Sequence, residues 1–212
     1  MRRINTLLIA TRNAHKVDEI RAILGGAFQF LTLNDFPGAP KVVEDADTFA
    51  GNATKKAVEL ADWLASEKSG NHFVLADDSG LEVDALGGKP GVHSARFAAL
   101  DKHENSKDAD NNAKLLRLLK NIPAEKRTAR FRCVIALVKI GNQKSEIGNL
   151  FDGACEGKII LKPRGQNGFG YDPLFVPNGF EKTFAELGED VKNKLSHRAK
   201  ALEKLKKFLT TK

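Results

Sequence analysis

Short apolar runs and helical stripes take turns along this chain. Residues Ile4 to Ala10 predict a buried strand, after which Val17, Ile20 and Leu24 recur at helical spacing, with Asn13 placed as a cap and Gly25-Gly26 as a stop. A strand, a polar turn and a helix therefore open the chain. The segment from Asn34 to Asp47, with two prolines and four acidic residues, predicts an irregular loop. From Asn52 onward, Ala53, Ala57, Leu60, Ala61 and Leu64 mark one face of a second helix, and Phe73 to Ala76 predict a short strand that runs into Asp77-Asp78-Ser79-Gly80. Beyond it Leu81 to Ala85 alternate at period two, and Gly87-Gly88-Lys89-Pro90-Gly91 reads as a rigid turn.

The second half continues the alternation. Ala113 to Leu119 predict a helix stopped near Pro123, and Arg130 to Ile140 and Lys144 to Leu150 predict paired strands across the turn Gly141-Asn142. A glycine-rich loop spans Gly165 to Tyr171, and Leu195, Ala199, Leu202, Leu205 and Leu209 predict a closing amphipathic helix with a Lys-rich solvated face. No internal repeat, low-complexity tract or charged linker interrupts the pattern. The expectation is one α/β domain over residues 1–212.

Composition narrows the class. The longest uncharged apolar run, Cys133 to Val138, is far below the roughly 20 residues of a membrane span, so no transmembrane or membrane-partner role is expected. Nothing after the two leading arginines reads as a secretory cleavage site, which makes the cytosol the expected compartment. Two cysteines, Cys133 and Cys155, exclude a disulfide scaffold and a Cys-rich zinc site. The five histidines never form the i, i+4 pair of a zincin, and no Walker loop occurs. The 34 Lys and Arg against 27 Asp and Glu leave a net charge of +7, which favours anionic partners.

Four segments concentrate polar side chains where α/β folds place ligands. Thr11, Arg12, Asn13, Ala14, His15 and Lys16 put backbone N–H groups, a hydroxyl, an amide and an ammonium at a helix start, which suits a phosphate chain and equally suits a simple cap. Asp77 and Asp78, adjacent at an expected strand end, direct their carboxylates to opposite faces, so that one can bind Mg²⁺ or take a proton from water while the other organises the turn. Burying such a carboxylate unpaired costs several kcal/mol, roughly, so a cationic partner or metal is expected nearby. The acidic group Glu44, Asp45 and Asp47 offers a further ligand. Phe169, Gly170, Tyr171 and Asp172, within a run from Gly165 to Pro173, offer close backbone approach and aromatic faces for a base. Lys192, with Ser196, His197 and Arg198, supplies basic groups at the start of the last helix.

Taken in order, the motifs Ile9-Ala10-Thr11-x-Asn13-x-x-Lys16, Thr48-Phe49-x-x-Asn52-Ala53-x-x-Lys56-Ala57, Ala76-Asp77-Asp78-Ser79-Gly80-Leu81, Pro90-Gly91-Val92-x-Ser94-Ala95-Arg96, Gly168-Phe169-Gly170-Tyr171-Asp172-Pro173 and Lys192-x-x-x-Ser196-His197-Arg198 span almost the whole chain. Together they resemble the inosine triphosphate pyrophosphatase family, which hydrolyses non-canonical purine nucleoside triphosphates. The resemblance implies an elongated mixed β-sheet flanked by helices, two lobes with a nucleotide cleft between them, and a homodimer. It also implies Mg²⁺-dependent cleavage between the α- and β-phosphates. On that reading Thr11 to Lys16 hold the triphosphate, Asp78 is proton acceptor and metal ligand, and Glu44 is a second ligand. Ser79 contacts phosphate, and Phe169 to Asp172 with Lys192, His197 and Arg198 clasp the base. One position departs: where Glu-Asn-Ala is expected the chain has Gly51-Asn52-Ala53, so any metal role of that carboxylate passes to Glu44 or Asp47. The rival readings are a basic nucleic-acid-binding module, opposed by the scatter of the positive residues, and the related Maf-like pyrophosphatases, opposed by Phe-Gly-Tyr-Asp and Ser-His-Arg.

Overall fold

The computed structural model describes residues 6–26, 28–66, 73–102, 105–140 and 148–211. In chain order its main elements are β1 (Thr6–Ile9), α1 (Ala14–Leu24), β2 (Gln29–Thr32), α2 (Phe49–Ser66), β3 (Phe73–Val83), α3 (Asp108–Leu119), β4 (Thr128–Lys139), β5 (Asn149–Ile159), β6 (Phe175–Pro177), α4 (Phe184–Leu187), α5 (Glu189–Leu195) and α6 (His197–Thr211). One six-stranded sheet runs in the order β2-β1-β3-β4-β5-β6. It is mixed: β1 pairs parallel with β2 and β3, whereas β5 and β6 are antiparallel. This is the α/β fold with helix-flanked mixed sheet that the motifs implied.

Helix α1 forms where the pattern places it. Asn13 Oδ1 accepts from the Lys16 amide at 3.3 Å, and Gly25, at φ 74°, ends the helix with its N–H on the Arg21 carbonyl. The stripe of α2 is buried as expected at Ala53, Ala57, Leu60, Ala61 and Leu64.

The described residues fall into two compact units. The first comprises residues 1–78, 133–152 and 198–212, and its core joins Leu7, Ile9, Ile20 and Leu75 to Cys133, Ile135, Leu137, Leu202 and Leu205. The second comprises residues 79–132 and 153–197, with a core of Leu81, Val83, Leu115, Phe131, Ile159, Phe175 and Phe184. Strand β4 shows the change in its own burial. From Thr128 to Arg132 exposure alternates, as in a strand with one wet face, and from Cys133 to Val138 every residue is buried.

Several expectations are corrected. Phe73–Val83 is one continuous strand, so Asp77-Asp78-Ser79-Gly80 lies within β3 and not in a turn at its end. Of the paired strand expected at Lys144 to Leu150, residues 144–147, like the turn Gly141-Asn142, lie outside the described residues; the described strand β5 runs Asn149–Ile159, well past the expected end. The closing helix is two helices: Ser196 adopts an extended backbone (φ −67°, ψ 163°), so Leu195 and Lys192 belong to α5 and the last helix starts at His197. Strands β2 and β6, of four and three residues, carry too little pattern to be predicted.

Candidate functional site

Because β3 is extended through both aspartates, Asp77 and Asp78 leave the strand in opposite directions. Each is almost wholly buried, so each needs compensation. Within its own unit the Asp77 carboxylate meets the ammonium of Lys16, the Arg198 Nε at 3.1 Å and the Cys133 thiol, which donates at 3.0 Å. Burial alone would raise its pKa, but Arg198 and Lys16 outweigh burial and hold the carboxyl well below the usual range. Arg198 is itself 1% exposed, and its other arm grips Glu19 on α1. Desolvation opposes that charge, yet the two carboxylates raise the guanidinium's pKa.

Asp78 is compensated far less. Asn52 Nδ2 donates to it at 3.1 Å, and Lys56 Nζ stands 3.5 Å away while also contacting Glu44 at 3.1 Å. Burial pushes the Asp78 carboxyl up to about 6; Lys56 and Lys16 pull it down, and Glu44 and Asp77 push it further up. A buried carboxylate poised near neutrality beside a permanently ionised one is the arrangement that separates a proton acceptor from a structural charge.

The loop before α2 supplies the rest of this group. Asn52 Oδ1 accepts from the Ala46 amide at 2.9 Å while its other end holds Asp78, so one side chain ties the acidic loop to β3. Of the acidic cluster, Glu44 reaches Lys56, Asp45 pairs with Lys55 at 2.6 Å, and Asp47 is exposed. A Cβ at Gly51 would meet Ala46 Cβ at 2.7 Å, so this backbone has closed over the place where a carboxylate was expected.

Among the described residues no three His, Cys, Asp or Glu side chains gather into a metal cage. Mg²⁺, however, is usually held by one or two carboxylates together with substrate phosphates. Glu44 and Asp78 already converge on one cation, the Lys56 ammonium, and their hard oxygen donors fit such an ion.

At the α1 start, Arg12 to His15 are exposed. Asn13 accepts its own helix bond, and the Thr11 hydroxyl accepts from the Asn13 amide at 3.1 Å. Lys16 turns inward to Asp77, and its pKa is raised because that attraction exceeds the cost of burial.

The second unit holds the remaining predicted residues except Arg198, which lies in the first. Ser79 is half-buried in β3. Lys192 Nζ binds Asp172 Oδ2 at 2.6 Å and lies 4.3 Å from the centre of the Phe169 ring. Asp172 Oδ2 also accepts from the Phe169 amide at 2.9 Å. Gly168, at φ 77°, is required here twice over, since a Cβ would fall 2.2 Å from that same oxygen. Tyr171 is buried and donates its hydroxyl to the Ser94 carbonyl at 2.9 Å. His197 stacks on Phe131 with ring centres 4.9 Å apart and planes 12° from parallel.

Sequence reasoning gave no role to Asn52, Lys56 or Glu19. Asn52 and Lys56, four apart on α2, stand on one helix face, which was the available signal. Glu19 gave none, because its partner is 179 residues away.

The class defined by these features is an α/β protein with a mixed sheet whose third strand, β3, carries two adjacent buried carboxylates with opposite pKa shifts, one of them paired with Lys16 from the start of α1. The chain belongs to the Ham1 family, whose model matches residues 7–208. It is 49% identical over 204 residues to the dITP/XTP pyrophosphatase of Geobacter sulfurreducens, covering 96% of each chain. To the enzyme of the same name from Shouchella clausii it is 46% identical over 207 residues, 97% of each. Among solved structures, a HAM1 protein from Coxiella burnetii superposes with a TM-score of 0.82 at 36% identity, covering 98% of this chain and all of that one. The Ham1 protein of Staphylococcus aureus gives 0.80 at 35% identity over 98% and 99%.

Proposed function

We propose that this protein hydrolyses non-canonical purine nucleoside triphosphates (dITP, ITP and XTP) to the monophosphate and pyrophosphate, which keeps deaminated bases out of DNA and RNA. The observation that carries the reading is the unequal compensation of two adjacent buried carboxylates: Asp78, met by Asn52 and Lys56, takes the proton of the attacking water, while Asp77, met by Lys16, Arg198 and Cys133, stays charged and anchors both cations. The names of the relatives, at 46% identity and above over nearly the whole chain, support the same substrates.

Thr11 to Lys16 hold the phosphates at the N-terminal end of α1, where exposed N–H groups and the helix dipole favour anions. Ser79 adds a hydroxyl. Glu44 and Asp78 are the residues that would hold Mg²⁺, which would supply charge neutralisation for the phosphates when bound. Lys192 as donor and Asp172 as acceptor stand beside the Phe169 ring, a pairing that suits the carbonyl and N1–H of hypoxanthine and xanthine. Adenine presents an amine and a bare N1, so it would leave both groups mismatched. His197 backs this group through Phe131, and Arg198 acts through Asp77 and Glu19. The whole chain serves as one pyrophosphatase domain, in a cytosolic homodimer. No helix among the described residues is long and apolar enough to cross a membrane.

Pyrophosphate release measured over a panel of nucleoside triphosphates tests the reading. Efficiency with dITP and XTP should exceed that with ATP by roughly 10⁴-fold. Comparable cleavage of all three would overturn the base assignment, and tight, salt-sensitive oligonucleotide binding without turnover would favour the nucleic-acid-binding alternative. Sedimentation gives the oligomeric state.

A further inference from the structure

The Phe169–Asp172 segment is fixed on one side by packing and on the other by hydrogen bonds. Gly168 is enclosed by Asp172, but a Cβ at Gly170 would meet nothing within 4 Å, although Gly170 also adopts a positive φ of 62°. What holds the Gly170 peptide is α3. Asp108 Oδ2 accepts from the Gly170 N–H at 2.6 Å, and Asn112 Nδ2 donates to the Gly170 carbonyl at 2.9 Å. These two residues stand at i and i+4 on α3, so a single helix face grips both polar groups of that one residue. The bond to Asp108 is charge-assisted and short.

A segment with two glycines in the five residues from Gly168 to Asp172 would, if unrestrained, be ordered only when a ligand arrived, at the expense of affinity. We propose that Asp108 and Asn112 are positioning residues for purine recognition: they pre-set the Gly170 peptide, and thereby the Phe169 ring and the Asp172 carboxylate on either side of it. This rests on the reading that Phe169 to Asp172 meet the base.

The experiment measures KM and kcat for ITP and ATP, and inhibition by inorganic pyrophosphate, in Asp108→Ala, Asp108→Asn, Asn112→Asp and Phe169→Ala, with thermal melts to confirm folding. Asp108→Ala removes the acceptor, and Asn112→Asp sets a carboxylate oxygen against the Gly170 carbonyl. Each should raise KM for ITP about tenfold, with kcat within about twofold, and narrow the ratio of efficiencies between ITP and ATP. Asp108→Asn keeps an acceptor oxygen and should restore most of the loss. The inhibition constant of pyrophosphate, which has no base, should not move. The inference is overturned if Asp108→Ala and Asn112→Asp leave KM and the ratio unchanged while Phe169→Ala alters them, if Asp108→Asn behaves like Asp108→Ala, or if pyrophosphate inhibition weakens in step with KM. If Phe169→Ala also changes nothing, it is the base-binding reading itself that fails.

Discussion

Asp77 and Asp78 are bonded neighbours in one strand, yet their carboxyls have been driven in opposite directions. Arg198 and Lys16 hold the first well below the usual range, and burial lifts the second to about 6. The difference is one of counter-charge and not of depth, since both are almost wholly buried.

Asp78→Asn should therefore do two things at once. Turnover should fall by about 10²- to 10⁴-fold, the usual contribution of a positioned base. In metal-free protein the same change should stabilise the fold at alkaline pH. The folded carboxyl binds its proton more tightly than the unfolded one, so its favourable contribution is present in acid and is lost as pH rises through about 6. At pH 8 the variant should be more stable by about 3 kcal/mol, with a melting temperature higher by about 6–12 °C, and the gain should vanish below about pH 4. Melting curves with EDTA at pH 4, 6 and 8 check this, and equal stabilisation at all three would refute it.

Lys56 is the strongest charge opposing the rise at Asp78. Replacing it with Met should move the Asp78 titration above 6, an upward shift that NMR of the metal-free protein can follow. A titration that stays in place would show that Asn52 and Lys16 suffice.

Arg198→Ala should leave Asp77 and Glu19 buried without their shared guanidinium, at a cost of about 3–5 kcal/mol. Turnover of ITP and ATP should fall together, because the guanidinium holds carboxylates of its own unit. A narrower gap between the two substrates, with the stability intact, would instead place Arg198 on the base.

Gly168→Ala is a sharper probe of the base site than removal of Lys192. Its methyl must displace Asp172 Oδ2, the atom shared by Lys192 and the Phe169 amide. Efficiency with ITP should drop at least about tenfold, with Asp78-dependent chemistry intact, and single-turnover rates at saturating ITP would show whether the loss lies in binding.

Local pattern made α1 legible to the residue, because its cap, stripe and stop are all encoded within thirteen positions from Asn13 to Gly25. The same kind of reading broke β3 in two. Asp-Asp-Ser-Gly is turn chemistry when taken alone, and it is tolerated inside a buried strand only because Lys16, Asn52, Cys133 and Arg198 come from elsewhere in the chain to meet it. The site residues could be recognised as motifs, but their pairings could not. Nothing local tells that Lys16 and Arg198 share one carboxylate, or that Lys56 stands between two.

The order of synthesis gives the Arg198 pairing a further meaning. Arg198 follows Asp77 by 121 residues and Glu19 by 179. At about 5–20 residues per second, an emerging chain carries both carboxylates for on the order of ten seconds before the guanidinium they share exists. Every segment of the second unit, by contrast, precedes Arg198. The first unit is thus completed only when α6 is made, and until then Asp77 has Lys16 but not the guanidinium that it comes to share with Glu19.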